Sequence, residues 1–177
     1  MFDRAAAEDA LHRISKRHVS QFLNGPDGCD TYGFGFFCDA YDGTVCLVAN
    51  TQQYHLTSLR NFGAQFGPVD RDLFRWDIGN WKYPAGLFSS SSAEQREFYE
   101  TWKECQVALS QIENDDNQER LEDICFKVLR RLIHEGAFSM APTGGGVMIL
   151  GPTALRQNVL ERKKRLDRLL DPAGGRV

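Results

Sequence analysis

Apolar residues recur at helical spacing from the start of the chain. Ala7, Leu11, Ile14, His18 and Phe22 fall at intervals of four, three, four and four, which puts them on one face of a helix over 3–23. Asn24-Gly25-Pro26 ends that helix, because glycine and proline continue the helical backbone only at a cost. The period then switches to two. In TYGFGFFC, Tyr32, Phe34, Phe36 and Cys38 alternate with Gly33, Gly35 and Phe37, a strand with one large and one thin face. Asp42-Gly43 supplies turn chemistry and 44–49 (TVCLVA) reads as the returning strand of a β-hairpin.

Asn50 and Thr51 are placed to cap a following helix, on which His55, Leu59, Phe62 and Phe66 share a face. Gly67-Pro68 closes it. The stretch DLFRWDIGNWKYPAG has no helical period and reads as a short strand or extended segment over 74–83, turning at Gly79-Asn80. Ser89 to Ser92 reads as a linker and a helix start, with Ser91 and Glu94 at capping-box spacing. Phe98, Trp102, Cys105, Leu109 and Ile112 then repeat at four, three, four and three. After a break at Asn114-Asp115-Asp116, a second long helix carries Leu121, Ile124, Cys125, Val128, Leu129, Leu132 and Ile133. The two helices are expected to form an antiparallel hairpin packed on the sheet. Gly136 falls where a left-handed C-cap is favoured. Thr143 to Gly146 is a turn, Val147 to Leu150 a short apolar strand, and Gly151-Pro152 opens a final helix to about 170. The expected fold is α+β: a small antiparallel sheet with a β-hairpin, covered by an N-terminal helix, a long helical hairpin and a C-terminal helix.

Length and composition narrow the class. The chain has 177 residues, 42% hydrophobic and 25% charged, which is a globular balance, and a chain of this size buries about 70% of its unfolded surface. One domain over 1–170 with a flexible tail at 171–177 follows. Twenty-four acidic residues against 21 basic give a net charge of −3, which argues against nucleic acid as a partner. No apolar run reaches the ~18 residues of a membrane span, and the opening MFDRAAAEDALHRISKRH lacks a signal-peptide core. Five cysteines, an odd number with no CxxC, read as reduced and mostly buried thiols rather than a disulfide framework. A cytoplasmic protein without membrane contact is expected.

No motif assembles a cofactor or metal site. Gly144-Gly145-Gly146 precedes a strand rather than following one, and no GK[ST] closes it, so it is not a phosphate loop. His12, His18, His55 and His134 have no ligand spacing among themselves or with cysteine pairs. A nucleophilic mechanism needs a thiol, a histidine and an orienting carboxylate; Cys46 or Cys125 with His55 or His134 is the combination open to this chain, giving a small cysteine/histidine-dependent hydrolase or transferase as the alternative function. Cys125, however, sits inside an apolar stripe, where a desolvated thiol stays protonated and inert.

Charge is segregated along the chain. Between Glu104 and Asp123 seven acids oppose one base, Arg120, and between Ala154 and Leu170 six bases oppose Glu161 and Asp167. Such blocks steer an oppositely charged partner, or neutralise one another within the fold. The acidic corner Glu113, Asp115, Asp116 and Glu119 is therefore a candidate contact surface. The aromatic cluster Phe74, Trp76, Trp81 and Tyr83 is core material first, with Trp81 and Tyr83 also candidates for partner contact, since aromatics dominate binding hot spots.

Three segments together carry a resemblance. The hairpin TYGFGFFCDAYDGTVCLVANTQQ, the Ala49-Asn50-Thr51-Gln52 step and Arg75-Trp76…Trp81-Lys82-Tyr83, followed by the helix pair, resemble an uncharacterised bacterial domain family associated with toxin-immunity loci. Gln52 and Gln53 stand where the family pattern has acids, which weakens any role built on carboxylates there. The resemblance implies a non-enzymatic binding protein, in its sharper form an immunity protein that neutralises a cognate bacterial toxin or effector by occluding its active site. Such a protein needs a rigid scaffold and a complementary surface, and no cofactor.

Overall fold

The computed structural model describes residues 4–39, 44–83, 114–141 and 146–150. Within them the chain is α+β. Helix α1 (Arg4–Leu23) leads through a 3-10 turn (Gly28–Asp30) into strand β1 (Thr31–Asp39), which pairs antiparallel with β2 (Thr44–Thr51). Helix α2 (Gln52–Phe66), the short helix α3 (Arg71–Trp76) and a 3-10 turn (Ile78–Asn80) follow, and the segment ends in a bridge between Tyr83 and Ala49 on the β2 edge. Helix α4 (Asn114–His134) and strand β3 (Gly146–Leu150) complete the described elements.

The hairpin register explains the main core. Phe34 lies opposite Ala49, Phe36 opposite Leu47 and Cys38 opposite Val45, so one sheet face presents all six toward the helices. Onto that face pack Leu11, Val19 and Leu23 of α1 and Leu121, Ile124, Cys125, Leu129 and Leu132 of α4, each buried. The apolar spacing predicts the buried face of α4 and that of α1 over Ala7, Leu11 and Ile14; further along α1 the buried positions are Val19 and Leu23, and the expected His18 and Phe22 are only half-buried.

The α1–α4 pair is tied at its rim by ion pairs that climb both helices in the same direction. Arg4 pairs with Asp123, Lys127 with Glu8 (3.4 Å), Arg131 with Asp9 (2.6 Å) and Lys16 with Glu135 (2.7 Å). The two helices are therefore parallel. Exposed pairs of this kind contribute about 0–1 kcal/mol each, but they fix register, since a slip of one turn would set Arg4 against Lys127. Asp123, one member of the acidic block, is neutralised here from α1; the basic block over 154–170 lies outside the described residues. Helix α4 ends as expected at Gly136 (φ +69°), with Gly136 N donating to Ile133 O (3.0 Å) and Ala137 N to Leu132 O (2.9 Å), the paired bonds of a Schellman cap.

Four expectations change. The sheet is not purely antiparallel, because β3 joins the other edge of β1 in parallel, in the order β2-β1-β3. Asn114-Asp115-Asp116 does not break the chain but forms the first turn of α4. The 74–83 segment is not a strand: Phe74 N donates to Asp70 O (3.0 Å), closing a helical turn, and the Asp77 side chain accepts from Gly79 N (3.0 Å) to set the turn at Gly79-Asn80. Tyr32 does not share the face of Phe34, because the register shifts between Thr31 and Gly33 and this bulge re-aims its side chain. The Asp42-Gly43 turn, the helix over 98–112, the final helix and the tail fall outside the described residues, as does Cys105. No helix among the described residues is long and apolar enough to cross a membrane.

Burial of two histidines makes the fold sensitive to acid. His12 is buried and its Nε2 lies 3.1 Å from Glu135 Oε2; burial, with Arg131 nearby, holds its pKa below the usual value despite that carboxylate. His55 is likewise shifted down, by burial and then by Arg75. The unfolded chain binds these protons near pH 6.5 and the folded chain resists them. Stability is therefore complete above about pH 6.5 and falls below it, at up to about 1.4 kcal/mol per pH unit for each histidine. Glu135 adds a lower window: Lys16 pulls its carboxyl down to about 2, so its contribution is present above its ordinary carboxylate range and lost as pH falls toward 2. Urea midpoints measured from pH 8 to 5 should decline below 6.5, and less steeply in His55→Leu; a flat profile would refute the assignment.

Candidate functional site

Helix α2 starts from a well-satisfied end. Thr51 Oγ1 accepts from Tyr54 N (3.3 Å) and Asp30 Oδ2 from Gln53 N (2.8 Å), which satisfies two of the helix's orphan donors and sets a carboxylate against its dipole. Asn50, wholly buried, joins this corner together. Its Oδ1 accepts from Thr51 N (3.0 Å) and Lys82 N (3.1 Å), and its Nδ2 donates to the Tyr32 hydroxyl (2.7 Å).

Beneath the helix is a second, aromatic and polar cluster. The Tyr32 hydroxyl and the Trp81 indole N–H each donate to Arg75 O at 3.0 Å, and the Arg75 guanidinium lies 4.5 Å above the Tyr32 ring. His55 packs between Tyr32 (5.4 Å between ring centroids) and Phe74 (6.1 Å). Burial pushes the Tyr32 phenol up to about 12, so this hydroxyl stays protonated and acts as a structural donor.

From this anchored end α2 runs outward. His55, Leu59, Phe62 and Phe66 were expected to share a face, and that face is buried only at its start. His55 is 5% exposed, Phe62 38% and Phe66 63%. Phe62 leans on Phe74 and Phe66 on Phe62, at 5.3 and 4.6 Å between ring centroids. Tyr54 and Leu56 are exposed as well. Isolated exposed apolar residues are ordinary, and Tyr54 and Leu56, two positions apart, project to opposite sides of the helix; Phe62 and Phe66, one turn apart and in ring contact, form a small exposed patch of the kind that marks an interaction site.

Beside the patch, α2 and the chain from Gly67 to Arg71 enclose an open groove of about 670 Å³. Leu56, Leu59, Gly63 and Val69 give it apolar walls, and Arg60 and Arg71 stand at its margin. Gly67 (φ +86°) turns the chain out of the helix, its N–H donating to Gly63 O (3.0 Å). A smaller groove of about 280 Å³ lies against the end of α1, lined by His18, Phe22, Asp27 and Tyr83. Its charges are matched internally: Lys82 Nζ binds both Asp27 oxygens at 2.9 and 2.8 Å, and the Tyr83 hydroxyl donates to Asp27.

The residues singled out from sequence are scattered. Trp81 is 1% exposed and presents nothing to a partner, while Tyr83 is half-buried in the smaller groove. Glu119 is exposed, Asp115 and Asp116 lie in the first turn of α4, and Glu113 lies outside the described residues. The thiol and histidine candidates are separated. Cys125 sits in the main core and His55 in the second cluster; His134 is nine positions further along α4, a rise of about 13 Å. Cys46 lies five residues up β2 from Thr51, about 17 Å. Burial, and then Cys38 beside it, pushes the Cys125 thiol well up. Among the described residues no three His, Cys, Asp or Glu side chains converge as metal ligands would.

A labelling experiment reads this arrangement directly. Cys29 is exposed, Cys46 intermediate, and Cys38 and Cys125 buried. Of these four thiols maleimide should modify Cys29 first, and reach Cys38 and Cys125 only on unfolding. Rapid modification of Cys125 in the native protein would contradict the core described above.

Comparison with protein families, with curated proteins and with solved structures yields no match for this chain.

Proposed function

We propose that this chain is a non-enzymatic binding protein that engages a protein partner through the exposed face of α2. The observation that carries the reading is the gradient along one face of that helix: His55 is buried at the end locked by Thr51 and Asp30, while Phe62 and Phe66, about two and three turns on, are offered to solvent. A rigid anchor with an apolar outer face lowers the ordering cost of association. The alternative, a cysteine/histidine-dependent hydrolase or transferase using Cys46 or Cys125 with His55 or His134, is less well supported, since Cys125 and His55 lie in different clusters and Cys125 and His134 stand nine positions apart on α4. The finer form, neutralisation of a cognate toxin by occlusion of its active site, draws on the family resemblance. The acidic corner Asp115, Asp116 and Glu119 is a second surface for the same role.

The test compares tagged wild-type chain with Phe62→Ser/Phe66→Ser in pull-downs from the native lysate, at low and moderate salt. A stoichiometric partner held by the wild type and lost by a variant of unchanged fold supports the reading. Co-expression should then relieve the partner's toxicity if it is a toxin. Equal retention by the variant would move the contact away from α2, and its loss on charge reversal at Asp115 and Asp116 would place it on the acidic corner. Absence of any partner under conditions where all neighbouring genes are expressed would overturn the proposal.

A further inference from the structure

The geometry points to an acidic, amphipathic helix of a partner protein as the occupant of the groove between α2 and the 67–71 segment. This inference rests on the binding reading above and supplies the chemistry of the partner.

The first argument is charge. Arg60 and Arg71 are both exposed at the groove margin, and among the described residues neither makes an ion pair. That sets them apart from Arg4 and Arg131, each of which is held by carboxylates. Among the described residues no carboxylate lines the groove; Asp70 immediately precedes α3 and is not among the lining side chains. A neutral or basic ligand settling here would strip water from two guanidinium groups and give nothing back, which is unfavourable. Carboxylates on the ligand would accept charge-assisted, bidentate bonds from them.

The second argument is shape. The α2 wall presents Leu56, Leu59 or Arg60, Gly63 and Gly67 at intervals of three to four residues, a stripe about 16 Å long over eleven residues. A partner helix with apolar anchors at i, i+3 or i+4, and i+7 has the same repeat. Gly63 sits at the middle of the stripe, and a Cβ there would meet nothing within 4 Å. The backbone of α2 is bare at that point, so a second helix can approach closely. The groove is walled by helix and turn rather than by a strand edge, so it has no backbone ladder to offer an extended peptide.

The probe is a phage-displayed library of random peptides of about 16 residues, four to five helical turns, panned on the wild-type chain. Two variants serve as counter-baits: Gly63→Leu, which fills the groove from a position with free space, and Arg60→Glu/Arg71→Glu, at two exposed sites. Circular dichroism and thermal melts confirm that both fold. Enriched peptides are expected to carry excess Asp and Glu with apolar residues at helical spacing. They should lose about tenfold or more in affinity to either variant, and weaken with added salt. Neutral or basic peptides blocked by Gly63→Leu would overturn the acidic assignment and leave the binding face standing. Acidic peptides without helical spacing would overturn the helix. No enrichment, or peptides indifferent to both variants, would overturn this inference and the α2 binding face together.

Discussion

Trp81→Ala is expected to cost about 3–5 kcal/mol, the range for emptying a buried tryptophan site, and to lower the melting temperature by on the order of 10 °C. The side chain is almost completely enclosed, and its indole shares the Arg75 carbonyl with the Tyr32 hydroxyl. That sharing decides which effect dominates. With Trp81 gone, Arg75 O still accepts from Tyr32, so no buried acceptor is orphaned, and the loss is chiefly the cavity beside Tyr32, whose ring lies 6.4 Å from the indole. Lys82 N, the next donor along the chain, is held by Asn50, so the void also loosens the corner where β2 passes into α2. Trp81→Phe keeps most of the volume and should cost about 1–2 kcal/mol, the indole hydrogen bond included. Urea denaturation of the two variants measures both numbers. A Trp81→Ala cost below about 1 kcal/mol would mean that the site collapses freely and that the second cluster is not packed as described. The same pair separates packing from recognition: Trp81→Phe should leave partner affinity unchanged, whereas a residue of the binding surface would not tolerate it.

How far these features can be read from the residues depends on whether the cause is local. The hairpin is legible, because alternation in TYGFGFFC and TVCLVA sets both the strands and the face they bury. The caps at Thr51, Gly67 and Gly136 are legible for the same reason: each depends on one residue's chemistry at one position. The bulge at Tyr32 is not. Tyr32 and Phe34 keep perfect alternation along the chain, and only the partner strand, with Gly33 opposite Asn50, shows the register shift. The direction of β3 is hidden similarly, since an apolar run such as Val147–Leu150 carries no sign of which way it will pair. Helix α3 is too short for periodicity to declare itself over six residues.

The candidate site was obscured by a different limit. Periodicity identifies residues that share a face, but not whether anything covers that face; His55, Leu59, Phe62 and Phe66 share one that runs from core to solvent. Charge counting has the same weakness. The block ending at Asp123 counts as acidic, yet Asp123 faces Arg4, 119 residues away in sequence, and Glu122 is buried. One signal for the groove was present, a glycine in the middle of a helix, and the two phenylalanines just before the helix stop marked the exposed pair beside it. An interior glycine weakens a helix, so its presence there asks for a reason. Close approach of another backbone is such a reason.

Two glycine-to-alanine changes sharpen the point by having opposite expected signs. In Gly28→Ala the added Cβ would lie 2.0 Å from Leu23 O, 2.5 Å from Leu23 C and 2.7 Å from Leu23 Cα. All three atoms are backbone, so no rotamer change relieves the overlap; the end of α1 and the start of β1 must move apart. Little slack exists for that. Asn24 N is bonded to Ser20 O, Gly28 N to Gly25 O and Thr31 Oγ1 to Asp27 O, at 3.1, 3.1 and 2.9 Å. Asp27, within the same turn, also holds Lys82 and Tyr83, so displacement spreads to the bridge on the β2 edge. A cost of about 3 kcal/mol, at the upper end of ordinary overpacking, is expected. In Gly63→Ala the new Cβ meets nothing, the residue lies inside α2, and helix propensity alone should stabilise the chain by about 0.5–1 kcal/mol. Denaturation midpoints of the two variants against wild type are sufficient to check the signs. If Gly28→Ala were neutral, the α1–β1 connection would not be the close backbone contact described here. If Gly63→Ala were destabilising, the centre of α2 would already be covered, and the groove would not be open to a partner.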